Sequence, residues 1–95
     1  MGREVTDKKL DNYFDVTSRA LKKASLAINK DELVKAKDFL NMASRYFDDA
    51  KFFRENGDFV LAFGALNYAH GWLDAGARIK LFLVYDSDLF TVDET

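Results

Sequence analysis

The chain has 95 residues, 48% hydrophobic and 32% charged, a folded single domain's balance. It contains no cysteine, which excludes disulfides, thiolate metal sites and a cysteine nucleophile. Net charge is −2 but uneven, with residues 1–30 at +3, 31–57 at −1 and 58–95 at −4, so attraction within the chain or between subunits is a better expectation than a nucleic-acid footprint, which needs a larger positive excess.

Without proline and with only five glycines, turns are scarce and long helices are the expectation. Thr6 suits a helix N-cap and Asp7 a first turn. From there Leu10, Phe14, Thr17, Leu21, Ala24 and Ile28 recur at steps of four and three, predicting a first helix over about 7–28. Asn29 and Lys30 interrupt it, and Asp31-Glu32 open a second helix over about 31–56. Its seam is Leu33, Ala36, Leu40, Ala43, Phe47 and Ala50. A parallel row of Phe39, Tyr46 and Phe53 widens the apolar arc enough to touch two neighbours.

Asn56-Gly57-Asp58 punctuates the chain, with Gly57 suited to a left-handed helix end and Asp58 to the next N-cap. A third helix is expected over about 59–83. Its end is open, because Leu81 to Tyr85 suits extended chain equally well. The tail, 86–95, carries four acidic residues. Its Leu89-Phe90 pair is expected to fold back on the bundle while the last residues fray. The fold expected is all-α, one domain, an elongated antiparallel three-helix bundle with a short acidic C-terminal tail. Polar residues from Asn67 to Lys80 break the longest apolar run well short of a membrane span, and the first residues show no cleavable-signal pattern.

On the wheel of the third helix, Ala62, Ala65, Leu66, Ala69, Trp72, Leu73, Gly76 and Ile79 share the core face. Asn67, His70, Asp74 and Arg78 form a polar stripe, flanked by Phe63 and Leu81. Gly64, Gly71 and Ala75 form a nearly bare face beyond it. Each internal glycine costs about 1 kcal/mol relative to alanine, and close approach of another backbone is the usual compensation. The space they leave serves crowded aromatics inside the bundle, a second chain or a bound small molecule.

The run from Gly57 to Gly76, GDFVLAFGALNYAHGWLDAG, resembles the family catalogued as domain of unknown function 357, most specifically from Asn67 to Gly76. The resemblance implies a helical bundle in an archaeal cytoplasm. It implies no activity and no catalytic residues.

His70 and Asp74 are one turn apart, as are Asp74 and Arg78. A histidine–carboxylate pair is half of an acid–base site, but no Ser, Thr or Cys shares the stripe as nucleophile, and a solvated or intersubunit ion-pair ladder explains the spacing better. One histidine without cysteine makes a poor metal set. Asp48-Asp49 and the Arg19, Lys22, Lys23 cluster suit solvated faces. No cofactor, metal or membrane is expected, and RNA is disfavoured. The expectation is a non-enzymatic interaction or assembly module, pairing with itself as a homodimer or with another helical protein. Its candidate surface is Gly64, Asn67, His70, Gly71, Asp74, Ala75 and Arg78. The alternative is a ligand-binding or ribonuclease-like hydrolytic protein using the stripe.

Overall fold

The computed structural model describes residues 4–92. The elements are α1 (Asp7–Leu26), a 3-10 turn (Lys30–Glu32), α2 (Leu33–Glu55) and α3 (Phe59–Arg78). Among the described residues there is no strand, only an isolated antiparallel bridge between Ile28 and Phe82. The expected three-helix bundle is present and elongated, measuring 43 × 25 × 16 Å. The expected fraying of the final residues lies outside the described residues.

Alanine sets how the helices meet. Ala36, Ala43 and Ala50 of α2 and Ala62 and Ala69 of α3 are all fully buried. Such small side chains let the two axes approach the lower end of the usual ~8–10 Å range. α3 packs most extensively against α2, less against α1, and α1 meets α2 least. The broad apolar arc of α2 does touch two neighbours. Phe47 meets Phe14 of α1 edge-on at 5.6 Å, and Phe39 and Tyr46 meet Trp72 and Tyr68 of α3 at 5.0 and 4.4 Å.

Helix ends follow local chemistry. The Thr6 hydroxyl accepts from the Lys9 amide at 3.2 Å, as its position predicts. Arg54 near the end of α2 donates to Asp11 and Asp7 of α1 at 2.6 and 3.3 Å. The Asp11 hydrogen bond, followed by that of Asp7, raises the guanidinium pKa further. Asp58 occupies the N-cap of α3, yet its side chain makes no capping bond.

The predicted boundaries need three corrections. α1 stops at Leu26, because Ala27 leaves helical geometry and its carbonyl accepts from Leu83. The start of the second helix is a separate 3-10 turn capped by the Asn29 side chain. α3 ends at Arg78 rather than near 83. There Lys80 adopts φ 66°, the Leu81 amide donates to the Gly76 carbonyl and the Lys80 amide to Ala77. This is the paired closure that also ends α2 at Gly57, where Asp58 donates to Phe53 and Gly57 to Arg54. Lysine in the left-handed region costs about 1 kcal/mol more than glycine would.

Past Lys80 the chain turns back along the bundle. Phe82 is fully buried with its ring against Gly76, and Leu81, Val84, Leu89 and Phe90 are buried after it. Leu89 and Phe90 therefore fold back as expected, joining Ala20, Ala24, Leu73 and Ala77 in one core. Leu81 is thus no part of the stripe on α3, and Ile79, assigned to the core face, is 58% exposed. Lys23 of the basic first helix pairs with Asp86 of the acidic segment, an attraction within the chain.

The glycines of α3 consequently differ. A methyl at Gly76 would overlap the Phe82 ring, whereas one at Gly64 or Gly71 meets nothing within 4 Å. In dilute solution Gly76→Ala should destabilise by about 1–3 kcal/mol through overpacking. Gly64→Ala should stabilise by up to about 1 kcal/mol through helix propensity. Denaturant melts of both variants check this, and equal effects would contradict the packing.

Candidate functional site

The two faces of α3 meet different fates. The middle of the polar stripe, His70 and Asp74, is tied to the chain's own C-terminal segment. His70 donates from Nε2 to the Leu89 carbonyl at 2.6 Å. A carbonyl only accepts, so Nε2 carries the proton, and in the neutral ring Nδ1 accepts from the Thr17 hydroxyl at 3.3 Å. Thr17 is 1% exposed. The Asp74 carboxylate lies 3.8 Å from His70 Nε2 and accepts from the Thr91 amide at 2.8 Å and its hydroxyl at 3.2 Å.

A hydroxyl therefore does reach His70, although none lies on the stripe itself, because α1 supplies it across the bundle. Its arrangement is a strut. Thr17 stands at Nδ1 and Asp74 on the Nε2 side, where the Leu89 carbonyl makes the closer contact. The same histidine ties α1, α3 and the returning segment together. Asn67 and Arg78 remain exposed at either end of the stripe. A cleft of about 440 Å³ beside the strut is lined by His70, Arg78 and residues 87–92. Among the described residues, no group of three or more His, Asp or Glu side chains is placed to hold a metal.

The opposite face stays bare. Gly64, Gly71 and Ala75 are exposed, and they floor two apolar hollows between α2 and α3. One, about 370 Å³, is bounded by Tyr46, Phe53, Leu61, Gly64 and Tyr68, with Asp49 at its edge. The other, about 320 Å³, is bounded by Phe39, Tyr68, Gly71, Trp72 and Ala75. Tyr68 stands between them, 54% exposed, and Val60 and Leu61 project at 74% and 53%.

The structure thus separates the seven candidate residues. Gly64, Gly71 and Ala75 belong to the open groove, His70 and Asp74 to the covered strut, and Asn67 and Arg78 to neither. Leu61 and Tyr68 were missed as groove residues. Their signal is present in the chain, since Leu61, Gly64, Tyr68, Gly71 and Ala75 follow a three-four heptad spacing down one side of α3.

An elongated three-helix bundle with a strapped C-terminal segment and an open apolar groove defines the class as a small helical-bundle module. The family described as protein of unknown function (DUF357) matches residues 12–82, and the chain belongs to that family. The matched span runs from α1 to Phe82, the residue packed on Gly76. No curated protein and no solved structure matches the chain. No helix among the described residues is long and apolar enough to cross a membrane.

His70→Ala would leave the buried Thr17 hydroxyl without its ring partner and free the Leu89 carbonyl. The expected loss is about 1–3 kcal/mol, with faster amide exchange at Thr91 than in α2. Native-state hydrogen exchange measures both, and unchanged exchange in residues 87–92 would remove the strut role.

Proposed function

We propose that this protein is a non-enzymatic assembly module that receives an α-helix in the groove between α2 and α3. The observation that carries this is the pair of open glycines on α3. Among the described residues, Gly64 and Gly71 have no neighbour within 4 Å of an added methyl, so none of those residues uses the space that they leave. Two helix-interior glycines cost about 2 kcal/mol relative to alanine, and close approach of another backbone compensates such a cost. Around them lies apolar surface rimmed by Phe39, Tyr46, Phe53, Tyr68 and Trp72, aromatic character enriched at protein interfaces.

The hydrolytic alternative has less support. Both ring nitrogens of His70 are engaged within the chain and the hydroxyl beside it is buried, which leaves neither free for a substrate. Assembly through helix packing calls for no catalytic group.

Gly71→Leu fills the groove without meeting the core. The variant is expected to keep or raise its melting temperature, since leucine is the better helix former, and to lose association. Light scattering and a thermal melt on one sample test this. A sharply lowered melting temperature with unchanged association would return the groove to the internal core and end the assembly reading.

A further inference from the structure

Resting on that assembly reading, we infer that the helix received by the groove is α3 of a second copy, lying antiparallel and centred near Leu66. The heptad seam of the exposed face alternates large and small as Leu61, Gly64, Tyr68, Gly71 and Ala75. Leu61 and Tyr68 project, while Gly64 and Gly71 floor the hollows. When two antiparallel copies slide until Leu61 faces the partner's Gly71, Tyr68 also faces the partner's Gly64, because both pairs are centred on the same residue. Each projection then meets a hollow and each hollow receives a projection, twice over by symmetry. A two-fold interface demands this self-complementarity, and antiparallel helix pairs seat their side chains in such holes. Parallel pairing in register does the reverse, setting Tyr68 on Tyr68 and glycine on glycine.

A polar contact agrees with this register. Asp49 edges the hollow at Gly64, so the hydroxyl of an entering Tyr68 finds a carboxylate acceptor there. The covered stripe cannot serve in its place, since His70 and Asp74 already bind residues 89–91.

The test exchanges a projection with its hollow. Gly71→Leu alone should weaken dimerisation by about 30-fold or more, the scale of an interface hot spot. The double variant Leu61→Ala, Gly71→Leu should recover most of it, because each added leucine then faces a partner position made small. Within one copy these residues are about 15 Å apart along the helix, so recovery reports contact between copies. Sedimentation equilibrium on the wild type and both variants reads the affinities, and circular dichroism confirms that each is folded. A dimer abolished by Gly71→Leu and not recovered in the double variant overturns this register while sparing the groove as an assembly site. A wild type monomeric at every concentration overturns self-pairing, leaving a foreign helix as the groove's occupant. A dimer indifferent to Gly71→Leu overturns both the pairing and the assembly reading.

Discussion

The contact between Phe82 and Gly76 governs what the rest of the molecule can do. The buried ring lies where any side chain at position 76 would lie. It is held there by the left-handed turn at Lys80 and by the bridge to Ile28. Together these end α3 at Arg78 and reverse the chain, sending Leu89 and Phe90 into the core beside α1. The reversal commits one side of α3 to the interior of the same chain. Its other side, beyond the α2 contact, is left without a cover.

That division explains why similar residues on one helix play unlike parts. Gly76 is small because an aromatic ring occupies its space, a packing need within the monomer. Gly64 and Gly71 have open space before them, and no packing need among the described residues accounts for them. The same contrast holds for the polar groups. His70 reaches both a hydroxyl of α1 and a carbonyl of the returning segment, and Asp74 binds two groups of Thr91. A buried hydroxyl and an irregular segment must have their hydrogen bonds met somewhere, and the stripe meets them.

Much of the fold was legible in the chain because the relevant signals are local. Thr6 begins a helix by its own hydroxyl, Gly57 ends one by its own conformational freedom, and the seams of α1 and α2 follow the helical period. The end of α3 was illegible for the complementary reason. It uses the same closure as Gly57, but lysine stands where glycine would have announced it. The roles of His70 and Asp74 were illegible as well, since their partners lie far along the chain. Thr17 is 53 residues from His70, and Leu89 is 19 residues beyond it. The groove was half legible. Its glycines stood out by their helix cost, while Leu61 and Tyr68 passed as ordinary apolar residues until the exposure of their face was known.

One face of α3 is spent inside the chain, and in the assembly proposed above the other receives a second helix. An amide nuclear magnetic resonance dilution series reads both faces at once, and Gly64 and Gly71 supply markers on the exposed side. Concentration-dependent shifts are expected at Leu61, Gly64, Tyr68, Gly71 and Ala75, with His70, Asp74 and Thr91 unmoved. Shifts concentrated at His70, Asp74 and Thr91, with the glycine signals constant, would place association on the strapped face and rule out the groove.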